Sequence, residues 1–210
     1  ANRGYALTSS RTLLIDHFIS LGWKVVLSTA DDEESRFLCD KGAVLEEVAF
    51  NRGGFAPLID VKAYHRLRSV YKKWRPDLIQ HFHAKPVILG SLAVRRSLDD
   101  SVKVVNAITG LGHAFISGGM TARLAGMGYG LARSRMDMTI FQNRDDLALF
   151  VQRGWVDQER ARLVPGSGVD VDRFTMVDRQ DRDGWFPVVV MLGRLLHQKG
   201  IPELVEEAKR

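Results

Sequence analysis

The sequence contains little cysteine and no long apolar run. Its single cysteine, Cys39, has no intrachain partner, which argues against a disulfide-stabilised secreted domain and fits a reducing cytoplasm. No apolar run approaches the roughly 18 residues that span a bilayer. The first residues lack the basic and then apolar pattern of a secretion signal, but the chain starts at Ala1 and not at a methionine. We therefore expect a piece of a longer protein.

Several familiar catalytic motifs are also missing. "GLGHAF" and "GSGVDV" start like a dinucleotide-binding G-x-G-x-x-G fingerprint but lack its third glycine, and no Walker loop is present. No G-x-S-x-G elbow supports a serine hydrolase. His81 and His83 in "HFH" have no third metal ligand at a recognisable spacing, so we predict no metal site. These absences argue against a nicotinamide dehydrogenase, a P-loop hydrolase and a zinc-stabilised fold.

The composition is that of a globular protein with a basic helix. Hydrophobic residues make up 45% and charged residues 26% of the 210 residues, enough for a sizeable core, and the net charge is +5. The helix predicted at 57–75 has an apolar stripe and two basic flanks, one with Lys62, Arg66 and Lys73 and the other with Arg68, Lys72 and Arg75. This helix either packs on the core with a solvated basic face or offers a surface to an anionic membrane. No nucleic-acid reading motif accompanies it, so we predict no nucleic-acid partner.

Helical and strand patterns alternate along the chain. Short apolar strands are predicted at 23–29, 43–50, 77–83, 102–108, 138–142 and 161–165. This alternation predicts an α/β fold with a doubly wound, parallel, Rossmann-like sheet. The chain enters through the loop "ANRGYALTSS" directly into a helix, although such a sheet normally has its first strand near the middle. We expect that first strand to be missing and the central strands to be poorly supported.

A second unit begins near the end of the chain. The polar, non-periodic segment 175–187 is typical of a linker between a domain at 1–174 and a truncated one at 188–210. In the latter, a buried strand from Val188 to Leu192 is followed by a Gly-Arg turn and a helix start. Helix N-termini at strand carboxyl ends suit phosphate groups. The loops at the carboxyl ends of the strands therefore predict a ligand cleft between two α/β domains.

The motifs "HFHAKPVILGSLA", "NAITGLGHAF", "FQNRDDLALF", "VPGSGVDVDRF" and "GRLLHQKGIPEL" occur in this order. Together they resemble glycosyltransferase family 4, which comprises retaining enzymes of the two-domain GT-B fold that use nucleotide sugars. Within that family, the chain is most similar to bacterial enzymes that extend lipid-linked oligosaccharides for surface polysaccharides or glycoproteins. The resemblance implies a nucleotide-diphosphate sugar as donor, a saccharide or lipid-linked saccharide as acceptor, and no cofactor or metal. It also implies a cytoplasmic protein, with the basic helix 57–75 as a peripheral contact to the membrane.

The resemblance assigns roles to individual residues. His83 matches the family's active-site histidine, with a satisfied strand-end histidine as the alternative. Arg194, Lys199 and Gly4 match positions at the donor diphosphate, where a guanidinium, an ammonium and backbone N–H groups stabilise the leaving group. The acceptor side of the cleft is assigned to Lys85, Thr109, Gly110, Gly112, His113, Asn143, Gly168 and Asp170.

Two further consequences belong to the resemblance. The family's Glu-x7-Glu motif, which contacts the donor sugar, would lie beyond Arg210, so the 210 residues alone are expected not to transfer sugar. Other classes also stay open, namely a GT-B epimerase or phosphorylase and a non-catalytic Rossmann-like binding module.

Overall fold

A computed structural model describes residues 1–51, 56–111, 119–172, 174–176, 190–193 and 200–209. Two compact units are present, Ala1–Asp170 and Val171–Arg210. The first unit holds every strand of the described residues. The second contributes a single helix to the described part of the chain.

The helices and strands follow the alternation expected from the sequence. In chain order they are α1 (Tyr5–Thr8), α2 (Thr12–Ser20), β1 (Val26–Thr29), α3 (Glu33–Asp40), β2 (Val44–Glu47), α4 (Pro57–Trp74), β3 (Leu78–Phe82), α5 (Ala84–Arg95), β4 (Lys103–Ile108), α6 (Gly119–Ala132), β5 (Met138–Phe141), α7 (Arg144–Gln152), β6 (Ala161–Leu163) and α8 (Ile201–Glu207). Short 3₁₀ turns precede β5 and β6.

Local chemistry fixes the helix ends. The Asp32 carboxylate accepts from the Ser35 N–H at 2.9 Å, and the Ser35 hydroxyl accepts from the Asp32 N–H at 3.0 Å, which forms a capping box on α3. Pro57 opens α4, where its missing N–H costs nothing. Arg75 ends α4 in the left-handed region, with φ of 43°. These caps position the loops that precede and follow the strands.

All strand pairs are parallel, and the strands form two sheets. The first contains β1 and β2, and the second has the order β3-β4-β5-β6. In the second sheet Phe82 pairs with Ala107, and Phe141 pairs with both Ile108 and Leu163. The parallel Rossmann-like α/β fold is confirmed. Neither β1 nor β3 has a neighbouring strand on its other side within the described residues.

The core lies between the strands and the helices that cover them. On α4 the side chains of Ala63, Leu67, Val70 and Tyr71 are buried, so the apolar stripe predicted for this helix is confirmed. They pack with residues of β3, α5 and β4. A second cluster joins α5, α6, α7 and β5, and a third joins α1, α2, β1, α3 and the ends of β3 and β4.

The structure differs from the sequence predictions in two places. The entry loop contains a short helix, α1, which has one buried apolar residue, Leu7, and therefore shows little periodicity. Val190, Met191 and Leu192 do not form a buried strand, and Leu192 is 93% exposed. A strand becomes buried only through neighbours, and these residues pair with none of the described strands. Val188 and Val189 lie outside the described residues. No helix in the described part of the chain is long and apolar enough to cross a membrane.

Candidate functional site

The carboxyl ends of β3, β4, β5 and β6 form one edge of the larger sheet. The register places these ends within a residue or two of one another. The loops that leave them begin at His83, Thr109, Gln142 and Val164. In parallel α/β sheets this edge is the usual place for ligands. The sequence-predicted cleft residues of the first unit that lie in these loops therefore share one edge.

His83 is the strained residue of this edge. It follows β3 directly and precedes α5, and its backbone has φ of 71° and ψ of 159°. This region of backbone space is nearly restricted to glycine and costs a side-chain-bearing residue about 1–3 kcal/mol. The His83 carbonyl accepts the Val87 N–H at 3.0 Å, which ties the strained residue into the first turn of α5. Arg75 is the other non-glycine residue with positive φ among those described.

The environment of His83 keeps its imidazole neutral. Partial burial lowers the pKa of His83, and the positive charge of Arg11 lowers it further. Each of these effects disfavours the imidazolium form. A neutral imidazole at the edge of the sheet has one nitrogen that donates and one that accepts a hydrogen bond.

Arg11 is a basic residue of this region that was not predicted from the sequence. It is only 8% exposed, and its guanidinium lies 4.1 Å from the centre of the Phe82 ring. It donates to the Ala6 carbonyl at 3.0 Å and to the Ser10 hydroxyl. Burial lowers its pKa. The available signal was a cation directly before α2, because the helix dipole disfavours positive charge at that end.

Lys85 lies one residue into α5 and forms an ion pair. Its ammonium donates to Asp60 of α4 at 2.7 Å, and both side chains are largely buried. The other Asp60 oxygen accepts the Ala56 N–H at 3.2 Å. This ion pair therefore fixes the orientation of the Lys85 side chain beside the first turn of α4. Its assigned acceptor role stays a prediction.

The other assigned residues of the edge lie in the three loops that follow β4, β5 and β6. Thr109 is half-buried, and Gly110 is exposed with φ of 132°, a conformation that suits glycine. The Asn143 side chain caps α7 by accepting the Asp146 N–H at 2.7 Å. Gly168 has φ of 78° and Asp170 is half-buried, both in the loop after β6. Gln142 donates to the Ser167 hydroxyl at 2.9 Å, which links the loops after β5 and β6.

The remaining assigned residues are Gly4 on the first loop and four others. The Gly4 N–H donates to Asp32 at 2.9 Å, and a Cβ at this position would overlap the same carboxylate. The close approach that requires glycine is thus made by Asp32 in this structure, and the diphosphate role of Gly4 stays a prediction. Gly112, His113, Arg194 and Lys199 lie outside the described residues.

His81 occupies a polar network inside the core. The Tyr71 hydroxyl and the Asn106 amide oxygen lie 2.8 Å from its two ring nitrogens. Because an amide oxygen only accepts, Nδ1 of His81 carries the proton and Nε2 accepts from Tyr71. Burial lowers the pKa of His81 to about 4. Both ring nitrogens are engaged, and no cluster of three or more potential metal ligands occurs in the described ranges.

The basic flank of α4 is partly neutralised by Glu46. This buried carboxylate on β2 accepts from Arg66 at 2.8 Å, from the Trp74 indole at 2.7 Å and from Lys73. These hydrogen bonds, with that of Lys73 first, hold the pKa of Glu46 below its usual value. Two of the three cations on this flank therefore have a structural partner.

Comparison with known proteins identifies the family. A profile described as "Glycosyl transferase 4-like" matches residues 1–143, well over half of the chain. The structure resembles the HepE protein of Anabaena, determined with UDP and glucose, with 18% identity and a TM-score of 0.54, over 77% of this chain and 41% of that one. It also resembles a glycosyltransferase from Rickettsia africae, with 12% identity and a TM-score of 0.50, over 78% and 40% of the two chains.

The structural likeness shows the fold, and the chain spans about two fifths of the length of these two structures. No curated protein matches the chain. The family assignment rests on the profile match, which includes α1 to β5 and ends at Asn143, the residue that caps α7. The chain belongs to the glycosyl transferase 4-like family.

Proposed function

We propose that the chain forms the acceptor-side part of an enzyme that moves a sugar from a nucleotide-sugar donor to a hydroxyl group of a saccharide acceptor. The observation that carries this proposal is His83, a neutral imidazole held in a strained conformation at the carboxyl edge of the sheet. Strain of this kind persists where the surrounding structure enforces it, and it is concentrated at functional sites. The family match and the UDP and glucose bound to the HepE structure support a nucleotide sugar as donor.

In this proposal His83 contacts the reacting groups. A neutral imidazole accepts a hydrogen bond from a sugar hydroxyl, or a proton from the attacking acceptor hydroxyl, at neutral pH. The lowered pKa of His83 favours this neutral form. The departing nucleoside diphosphate takes the bonding electrons of the anomeric C–O bond. We further propose that the transfer retains configuration and uses no covalent protein nucleophile.

The donor side of the site belongs to the proposal as well. Arg194 and Lys199 would stabilise the charge that develops on the diphosphate. The chain spans about two fifths of the matched glycosyltransferase structures, so we attribute activity to the complete protein and expect none from the 210 residues alone. The proposed acceptor is lipid-linked, and the proposed site of action is the cytoplasmic face of a membrane.

Helix α4 supports contact with such a membrane. Leu58 is 81% exposed and Val61 is 54% exposed, and Lys62 follows them on the same side of the helix. An apolar pair beside a cation fits the boundary between lipid headgroups and acyl chains. Because Glu46 binds Arg66 and Lys73, we place the contact at the start of α4 and not along the whole basic flank.

A vesicle sedimentation experiment tests this contact. Vesicles with 30% anionic lipid should pellet the wild-type protein, while the double variant L58S/V61S should stay largely in the supernatant. The control K103E changes an exposed charge at the start of β4 and should sediment like the wild type. Equal sedimentation of the double variant and the control would remove the membrane contact from the proposal.

A transfer assay with the complete protein tests the function. The protein is incubated with radiolabelled UDP-, GDP- and ADP-sugars and a lipid-linked saccharide extract, and labelled lipid and released nucleoside diphosphate are quantified. We expect transfer from one donor class, and an at least 100-fold lower kcat in H83A and H83Q. The control H17Q removes an exposed histidine on α2 and should transfer at the wild-type rate.

The products separate the alternatives. A free epimerised sugar would identify an epimerase, and a sugar phosphate would identify a phosphorylase. Full activity of H83A would contradict the role of His83. The anomeric configuration of the product, read from its proton NMR coupling constants, decides between retention and inversion.

A further inference from the structure

A cleft lined by arginine side chains lies at the amino edge of the larger sheet. It is formed by the end of α5, the end of α6 with the 3₁₀ turn that follows it, and the 3₁₀ turn before β6. Its volume is about 480 Å³, within the range of roughly 300–1,000 Å³ that is typical of ligand sites. We call it the arginine cleft and define it by Arg95, Gly130, Leu131, Arg133, Ser134, Asp157 and Arg160.

The parallel sheet brings these distant segments together. Neighbouring strands among β4, β5 and β6 start within one or two residues of each other in the register, so the segments that lead into them share one edge. Arg95 precedes β4, Arg133 precedes β5 and Arg160 directly precedes β6. The six residues of β4, at about 3.3 Å each, separate this edge by about 20 Å from the edge that holds His83. The arginine cleft is therefore distinct from the candidate site at His83.

The arginine cleft carries more positive than negative charge. In the described part of the chain, Asp157 is the one acidic residue that lines it. The Asp157 carboxylate accepts a hydrogen bond from Arg133 and lies 3.9 Å from Nε of Arg160. The hydrogen bond from Arg133 lowers the pKa of Asp157, so the carboxylate is charged at neutral pH. Three guanidinium groups and one carboxylate leave the cleft with a net charge of +2.

Arg95 is the cation of the cleft that lacks a carboxylate partner. It is exposed, and the ion pairs formed by the described residues do not include it. By contrast, Lys41 and Lys85 each meet a carboxylate at 2.7 Å. An arginine at the end of a helix also complements the helix dipole, and that role needs no ligand. The dipole does not, however, require guanidinium groups from three separate segments to line one cleft.

A phosphate group matches the charge and the donors of the cleft. A phosphate ester carries a charge of about −1.5 to −2 at neutral pH and has three strong acceptor oxygens. A guanidinium group binds such oxygens through two parallel N–H···O hydrogen bonds. The Ser134 hydroxyl is a further donor in the cleft. Leu131, which is 59% exposed, offers an apolar surface to the organic part of the ligand.

We propose that the arginine cleft binds the phosphate group of an organic phosphate through Arg95, Arg133 and Arg160, with Asp157 as a competitor for Arg133. Two sources supply this chemistry, namely a soluble phosphate ester or diphosphate and the phosphomonoester headgroup of phosphatidic acid. The inference does not rest on the proposed glycosyl transfer, because the cleft lies at the opposite edge of the sheet from His83 and its tests measure binding.

Calorimetric titration of the complete protein with inorganic pyrophosphate tests the site. The parent protein and all variants carry Arg194→Ala, which removes the proposed diphosphate contact on the donor side. We expect Arg95→Gln to raise the Kd for pyrophosphate at least tenfold. Arg95→Lys should raise it less, because lysine keeps the charge and loses the planar fork. The control Arg123→Gln removes an exposed arginine of α6 outside the cleft and should bind like the parent.

A second variant tests the proposal by a gain of affinity. Asp157→Asn should lower the Kd for pyrophosphate at least threefold, because the carboxylate no longer competes for Arg133. The control Asp40→Asn removes an exposed carboxylate at the end of α3 and should bind like the parent. Misfolding does not produce tighter binding, so this variant decides the question even if Arg95→Gln fails to fold. Equal affinity of Arg95→Gln and Arg123→Gln, or of Asp157→Asn and Asp40→Asn, would overturn the proposal.

Vesicle sedimentation distinguishes the two sources of phosphate. The proteins also carry L58S/V61S, which removes the proposed contact of α4, and the vesicles contain either phosphatidic acid or phosphatidylglycerol at equal surface charge. Sedimentation that requires phosphatidic acid and is lost in Arg95→Gln, but not in Arg123→Gln, would assign the cleft to the lipid headgroup. Equal sedimentation of these two variants, together with pyrophosphate binding that depends on Arg95, would assign it to a soluble phosphate.

Discussion

The strain at His83 predicts that glycine at this position stabilises the fold relative to alanine. Both variants remove the imidazole, so the comparison isolates the backbone. At an ordinary position, replacing alanine by glycine costs about 0.5–1 kcal/mol because glycine loses more conformational freedom on folding. With φ of 71° and ψ of 159°, a Cβ costs about 1–3 kcal/mol. The stability difference between the glycine and alanine variants should therefore have the opposite sign at this position. H83G should be more stable than H83A by about 0.5–2 kcal/mol.

Urea denaturation followed by tryptophan fluorescence measures this difference. With a urea m-value of about 2 kcal/mol/M, the midpoint of H83G should lie about 0.3–1 M above that of H83A. Two further pairs of glycine and alanine variants serve as controls. Arg153 has φ of −79°, so R153G should be less stable than R153A. Arg75 has φ of 43°, so R75G should exceed R75A as at His83.

The opposite order at His83 would refute the reasoning. If H83G were less stable than H83A by the same margin as at Arg153, the strained conformation would not exist in solution. The proposed function adds a second expectation, because H83G should gain stability relative to H83A while both lose transfer. A residue that lowers stability and is required for activity is retained for its chemical function.

Two further predictions concern the buried network around His81. In the unfolded chain His81 binds a proton near pH 6.5 and in the folded chain near pH 4, so between these values the unfolded state binds more protons and stability falls as pH falls. The free energy of unfolding should drop by about 2 kcal/mol more between pH 7 and pH 5 in the wild type than in H81Q, measured by urea denaturation; equal slopes would contradict the assignment. A Cβ at Gly90 would overlap the His81 ring, so G90A should lose at least about 2 kcal/mol, whereas G130A, with a 3.9 Å contact to Trp155, should be neutral or gain about 0.5 kcal/mol. Similar Tm values for the two glycine variants would show that the network is not packed as described.

The sequence predicts helix α4 well because its own residues carry the necessary information. Pro57 marks its start, and apolar residues at helical spacing mark its buried face. The ion-pair partner of its basic residues was not predictable. Lys73 and Arg66 meet Glu46 across 27 and 20 positions of the chain, and no local pattern indicates that pairing.

In the candidate site as well, the local features were predictable from the sequence and the long-range contacts were not. A histidine after a buried strand was predictable as a residue at the sheet edge, and His83 lies there. Its backbone strain was not, because the sequence around it contains no glycine or turn signal that indicates positive φ. Arg11 was missed because its guanidinium packs on the Phe82 ring, and only the folded structure brings these two residues together.

By itself the sequence determined the order of strands and helices, the parallel α/β class and the family, because periodicity, caps and short motifs are local properties of the chain. Only the tertiary structure decided which charges pair, which histidine is buried in the core and which one is strained at the edge of the sheet. It also revealed a cavity lined by residues of β1 and β3. These features depend on contacts between residues far apart in the chain, and such contacts form when the apolar faces of separate elements pack together.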